Sequence, residues 1–234
     1  MKIVRRIFIW CRNIILGFLV LSIGLVVVYK FVPVYYTPLM FIRLHEAGSL
    51  SKINHQWVPI REISQTMVQA VVASEDNLFM QHHGFDKVQI DKALEDARKG
   101  KRLRGASTIS QQTAKNVFLW SARSYFRKAL ETWFTVLIEW IWGKERIMEV
   151  YLNSIEMGDG IYGVEAASMA YFSIHASQLT RQESALIACI LPDPRRRNPV
   201  QPSGYLQQRQ VEILSLMRKT ETVRMGCLSE RTNE

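Results

Sequence analysis

Two stretches of this chain hold side chains able to activate a hydroxyl and to steady an anion. Glu75-Asp76-Asn77-Leu78-Phe79-Met80-Gln81-His82-His83-Gly84 opens on adjacent carboxylates, and Gly105-Ala106-Ser107-Thr108-Ile109-Ser110-Gln111-Gln112-Thr113-Ala114-Lys115-Asn116 is rich in hydroxyls and amides and carries a lysine. A positioned carboxylate can take the proton of a weak nucleophile such as an alcohol. Lysine and arginine can stabilise negative charge growing on a leaving group, above all a phosphate. Further on, Arg123, Arg127 and Glu131 recur every four residues with Lys128 adjacent, so one helix would gather them on a single stripe. As surface pairs they would contribute only roughly a few tenths of a kcal/mol each, which makes an anionic ligand the better explanation. The histidines show no H-E-x-x-H spacing, and neighbouring His82 and His83 cannot easily face one metal.

These groups need elements to aim them. Ser64 can cap a helix stapled by Ile63 and Val68, with Met67, Val68, Val71 and Val72 as its apolar face. Glu75 follows Val71 by four positions and Val72 by three, so its carboxylate emerges at the apolar edge, where desolvation raises its pKa. Thr108 with Gln111 fits a capping box, although Ser107 is an equally allowed cap. On the helix that follows, Ile109, Thr113, Val117 and Trp120 can face inward while Gln111 and Lys115 share another face. The preceding run from Arg98 to Arg104 is dense in charge and reads as a mobile solvated loop or a substrate gate. The run TWFTVLIEWIWG, apolar on nearly every side, reads as a central core helix. Helices are also predicted from Lys144 to Asn153 and from Gln182 to Leu191, the second stopped by Pro192 and Pro194. No sustained two-residue alternation calls for a large sheet, so the domain is predicted to be mainly α.

The bulk numbers fit one folded domain with extras: 234 residues, 48% hydrophobic, 22% charged and a formal charge of +9. Part of that charge is topological, because Lys2, Arg5, Arg6 and Arg12 precede the uncharged run NIILGFLVLSIGLVVVY. As a helix that run spans roughly 26 Å at about 1.5 Å per residue, near the lower limit for crossing a bilayer. It lacks a small-x-small cleavage site, which favours a retained anchor with a cytoplasmic N-terminus over a signal peptide. Cys11, Cys189 and Cys227 lie in dissimilar settings and imply no disulfide framework. The chain divides into a basic tail (1–12), a transmembrane anchor (13–36), a juxtamembrane linker (37–56), a domain (57–218) and a polar, frayed tail (219–234).

The two leading stretches resemble the motifs E-D-x-x-F-x-x-H-x-G and G-x-S-T-I-x-Q-Q-x-x-K-N of the peptidoglycan glycosyltransferases of family 51. Arg127-Lys128-Ala129-Leu130-Glu131 is similar to their R-K-x-x-E element and Glu149-Val150-Tyr151-Leu152-Asn153 to their E-x-Y-L-N element. The segment from Ala185 to Pro199 is similar to their closing Pro-rich element. The nearest likeness is to the single-function, N-terminally anchored transglycosylases of Gram-negative bacteria. One departure is Ala106, where the family often has a second glycine.

The resemblance implies a lysozyme-like, two-lobed domain that polymerises lipid II. The 4-hydroxyl of an acceptor sugar would attack C1 of the lipid-linked donor with inversion, releasing undecaprenyl pyrophosphate. It implies Glu75 as general base, Lys115 with Arg123 as a pyrophosphate clamp helped by Arg127 and Lys128, and Ser107 and Gln111 as donor-site contacts. Glu131 becomes a second essential acid, holding the cations or the acceptor, and Asp76 a supporting group. His82 and Gly84 would shape a turn, and Tyr151 and Asn153 would be mainly structural. The implied partners are lipid II, the growing glycan strand and membrane lipids, with other wall-synthesis or division proteins conceivable and nucleic acid excluded. No cofactor is implied, although a divalent cation, Mg or Mn, could stimulate. The implied place is the bacterial inner membrane, single-pass, with the catalytic domain periplasmic.

Two other readings compete. A membrane-bound glycosidase cutting the same polymer would use Glu75 and Glu131 as its carboxylate pair but has no pyrophosphate for the cations to hold. A non-catalytic scaffold for wall synthesis would need neither acid. A second, peptide cross-linking activity is excluded by inventory: Ser49-Leu50-Ser51-Lys52 matches S-x-x-K beside the membrane exit, but no S-x-N or K-T-G follows.

Overall fold

A computed structural model of the chain describes residues 2–47, 52–100, 107–122 and 124–226. Helices dominate, as the periodicity requires. The first, α1 (Lys2–Phe31), is continuous through the basic tail and is long and apolar enough to cross a membrane. Most of its surface is bare hydrocarbon, including Ile14, Leu21, Val28 and Phe31, while Ser22 and Val26 are buried against the domain. Pro38 then opens α2 (Pro38–Ala47), a first-turn position where its missing N–H costs nothing.

The centre is α3 (Gln65–Glu75), buried without interruption from Met67 to Ala73. Its large side chains, Met67, Val68, Val71 and Val72, enter the main core. Ala70 and Ala73 point the other way, where their small size admits α9 (Arg181–Ile190) and α10 (Gly204–Lys219) through Ala185, Ala188, Leu206, Ile213 and Met217. Two cores therefore meet across one helix. Ser64 occupies the N-cap position, but its hydroxyl is drawn to Leu179 O at 2.9 Å and makes no capping bond.

Between these lie α4 (Lys87–Arg98), α5 (Ile109–Phe118), α6 (Tyr125–Ile141), α7 (Lys144–Ser154) and α8 (Val164–Phe172). The apolar run assigned to the core is core on one side only. Phe134, Leu137 and Ile138 are buried, whereas Val136 and Trp140 stand exposed on α6. Another part of α6 seats α1: Trp133 Nε1 donates to Ser22 Oγ at 3.1 Å, and Phe18 tilts onto the Trp133 ring. Just beyond α6, Trp142 Nε1 donates to Val26 O at 2.7 Å. Arg146 donates to Tyr29 O at 2.8 Å and Val32 O at 2.7 Å, satisfying carbonyls left over at the helix C-terminus.

Strand content is small. β1 (Asn54–His55) pairs parallel with β3 (Ile161–Tyr162), and β2 (Glu156–Gly158) pairs antiparallel with β3, giving the order β1-β3-β2. The segment beyond Lys219, expected to be frayed, is instead strapped to α3 as far as it is described. Val223 N donates to Gln69 Oε1 at 2.9 Å, Met225 N to Gln65 Oε1 at 3.0 Å, and both Val223 and Met225 are buried. Two apolar side chains among polar neighbours were enough to dock it. The predicted solvated run is helical up to Arg98 and turns at Lys99 and Gly100, and its remainder lies outside the described residues.

Candidate active site

Glu75 is the last residue of α3, half-buried, at the negative end of the helix dipole. Burial raises its pKa from the ordinary carboxylate range; a hydrogen bond from Gln112 and the charges of Arg209 and Arg197 pull the other way. Gln112 Nε2 donates to Glu75 Oε2 at 3.1 Å, while Gln112 Oε1 accepts from Tyr151 Oη at 3.2 Å. The phenol fixes which end of the amide faces the acid. Tyr151 is fully buried on α7, so a core residue sets the orientation of a site residue.

Asp76 turns inward. Its carboxylate accepts from His82 Nε2 at 2.8 Å and from Ile109 N at 3.0 Å, the first amide of α5. His82 Nδ1 accepts from Gly84 N at 3.1 Å, which places the imidazole proton on Nε2, toward Asp76. Gly84 has φ +88°, and a Cβ there would lie 2.8 Å from Thr135 Cγ2. The acid pair thus divides its labour: Glu75 faces space, and Asp76 bolts the end of α3 to the start of α5.

The capping box at that start is formed. Gln111 N donates to Thr108 Oγ1 at 3.2 Å and Thr108 N to Gln111 Oε1 at 3.1 Å, with Gln111 only 5% exposed. Gln111 therefore spends its amide on the helix terminus, and it is Gln112, one position on, that reaches Glu75. Ser107 is exposed and lines the space beside Glu75.

One helical turn past Gln112 on α5 stands Lys115. Burial lowers its pKa from the usual lysine range, Glu131 opposes that shift, and the charges of Arg127, Lys128 and Arg43 add to it. Glu131 is 2% exposed and accepts from both Arg127 and Lys128, so it is engaged by the cations of its own stripe. Arg123 lies outside the described residues. In the E-x-Y-L-N element, Glu149 Oε1 accepts from Ile60 N at 3.0 Å and Asn153 bridges Val58 N and O, stapling the segment that enters the domain.

Glu75 sits where two grooves meet. One, of about 840 Å³, is lined by Glu75, Ser107, Gln112, Arg197, Tyr205 and Arg209 among others. The other, of about 340 Å³, includes Glu75, Asp76, Asp86, Lys92 and Ser107. Arg197, Tyr205 and Arg209 were not anticipated. The only hint in the sequence is that positions 205, 208, 209 and 212 share a helix face that is polar but carries one aromatic.

Comparison with known proteins places the chain in a family. Residues 43–218 match the family described as Transglycosylase. The chain is 51% identical over 217 residues to a biosynthetic peptidoglycan transglycosylase of Bacteroides thetaiotaomicron, covering 92% of this chain and 88% of that one. It is 50% identical over 216 residues to a protein of the same description from Caulobacter vibrioides, covering 91% and 92%. A third, from Shewanella oneidensis, is 44% identical over 234 residues, covering 98% and 99%.

Proposed function

This chain belongs to the transglycosylase family, and on that premise we propose that it polymerises lipid II into glycan strands at the bacterial inner membrane. The observation that carries the reading is Glu75: a carboxylate raised by burial, open to a groove, and oriented by Gln112, which stands one helical turn before Lys115 on α5.

A sugar hydroxyl is a poor nucleophile until its proton is taken. Glu75 accepts the proton of the acceptor 4-hydroxyl as the oxygen forms its bond to C1 of the donor sugar. The C1–O bond to the diphosphate breaks on the opposite face, with inversion, and undecaprenyl pyrophosphate departs. The leaving group needs charge stabilisation more than a proton, which Lys115, Arg127 and Lys128 supply, with Arg123 as a further expected member. Partial burial strengthens their attraction for phosphate because less water screens it. Glu131 keeps the cations spaced and anchored. So written, the reaction calls for no cofactor, and a divalent ion would act on the diphosphate of the substrate. The chain is read as single-pass, with its N-terminus cytoplasmic and the catalytic domain periplasmic.

The engagement of Glu131 with Arg127 and Lys128 also weakens the glycosidase reading, because the second carboxylate that hydrolysis needs is occupied. Full-length protein in detergent, given lipid II, is expected to lengthen glycan, and Glu75→Gln to lose at least about a hundredfold in rate. Cleavage of preformed glycan without growth would establish a hydrolase. Undiminished polymerisation by Glu75→Gln would remove Glu75 from the role of base.

A further inference from the structure

The outward face of α10 moves no proton and holds no phosphate in the reaction above, yet it forms one side of the larger groove. Tyr205, Gln208, Arg209 and Glu212 line that groove together with Glu75, at successive i, i+3, i+4 and i+7 positions. Leu216, one turn further, lines the second groove together with Glu75 and Ser107. The opposite face of α10, through Leu206, Ile213 and Met217, is buried against α3 and α9, so the stripe is rigidly presented. From Tyr205 to Leu216 it extends about 16 Å at 1.5 Å per residue.

Its chemistry is that of a sugar site more than of a phosphate site. Tyr205 is 60% exposed and its ring borders the groove that holds Glu75. The Arg197 guanidinium lies 5.3 Å from the ring centroid, and Arg197 also donates to Cys189 O, so the phenol is steadied from one side. Arg209 is paired with Glu212 at 3.0 Å, which mutes its positive charge. What remains is an aromatic face, backed by the Arg197 guanidinium, beside the Gln208 amide and the Glu212 carboxylate. A pyranose ring offers the complement: weakly positive C–H groups for the π face and hydroxyls or N-acetyl groups for hydrogen bonds.

We infer that this face of α10 is a saccharide-binding wall on which the glycan strand lies beside Glu75, with Tyr205 stacking a sugar ring and Gln208 and Glu212 holding its polar edge. The inference rests on the polymerase reading and adds residues that act by positioning the strand, not by moving protons. It requires the ring of Tyr205 and not its hydroxyl.

The test uses full-length protein in detergent micelles with lipid II, reading KM, kcat, product length and thermal midpoint. Tyr205→Ala is expected to raise KM about five- to tenfold and shorten the products, with kcat within about twofold and the midpoint unchanged. Tyr205→Phe should match wild type. In a separate arm, a lipid-free oligosaccharide of alternating N-acetylglucosamine and N-acetylmuramic acid should broaden or shift a ring resonance of Tyr205 in wild type. Wild-type KM and product length in Tyr205→Ala, or a Tyr205→Phe as defective as Tyr205→Ala, would overturn the inference, as would absence of any oligosaccharide effect on that resonance. Should the alanine variant lose its fold, Gln208→Ala provides the same readout from an exposed position. If Glu75→Gln is inactive while these variants behave as wild type, only the wall is lost; if Glu75→Gln still polymerises, the underlying reading is lost.

Discussion

At Glu75, opposing influences set the proton affinity, and their signs can be read out. Burial raises the pKa, while the Gln112 amide and the Arg209 and Arg197 charges lower it. The base must be ionised to act, so the acid limb of kcat/KM should lie above the ordinary carboxylate range. Lys115, lowered mainly by burial, must be protonated to hold a diphosphate, so the alkaline limb should lie below the ordinary lysine range. Gln112→Leu removes a bond that favours the ionised acid and should push the acid limb to higher pH, which a pH–rate series in one buffer system would measure. The same shift predicts a stability effect. A carboxylate whose folded pKa exceeds its unfolded one contributes most below the unfolded value and loses that contribution as pH rises through the folded value. Glu75→Gln, neutral at every pH, should therefore melt at or above wild type near pH 8 and converge with it at acidic pH. A variant that melts lower than wild type at pH 8 would mean that the buried charge is better compensated than its neighbours suggest. The motif told which acid to examine but not which glutamine. Gln111 and Gln112 project about 100° apart on α5, and only the meeting of the end of α3 with the first turn of α5 decides which one reaches Glu75.

The elements explain why an adjacent pair of acids was needed. Asp76 accepts from the first amide of α5 and from His82, so it closes a helix terminus and a turn at once, at a point where the helix dipole favours negative charge. Asp76→Ala would leave a buried N–H and a buried imidazole N–H unpartnered and should cost about 3 kcal/mol, read by chemical denaturation. Asp76→Asn, which keeps an acceptor oxygen, should cost less, and activity should fall in step as α5 loses its fixed distance from Glu75. What sequence made legible were features closed within a few residues: the Thr108–Gln111 box, the apolar side of α3 and the proline stop after α9. Those that depend on distant partners were hidden. Ser64 looks like a cap but is claimed by Leu179 O, the last stretch looks frayed but is strapped by Gln65 and Gln69, and which face of α10 lines the groove is decided only once α3 and α9 have covered its other side.

Over the whole molecule, the anchor is part of the architecture and not a tether. Ser22 and Val26 are sealed by Trp133 and Trp142, and Arg146 binds the carbonyls that end α1. If α1 crosses a bilayer, a rigid junction of this kind would hold the groove at a set height and tilt over the lipid surface, which suits a substrate whose diphosphate sits where membrane meets water. It also fixes topology: if α1 spans with its basic end inside, everything from α2 onward is outside. Cys11 reports on this directly. It is exposed beside Arg12, whereas Cys189 is buried, so a membrane-impermeant maleimide should discriminate between them; Cys227, outside the described residues, is best replaced by serine. Inside-out vesicles carrying Cys227→Ser should label at Cys11 and intact spheroplasts should not. The reverse pattern would put the catalytic domain in the cytoplasm, with no access to exported lipid II. Release of the protein from the membrane by alkaline carbonate would mean that α1 does not span, and that the contacts with Trp133 and Trp142 belong to a helix lying along the domain.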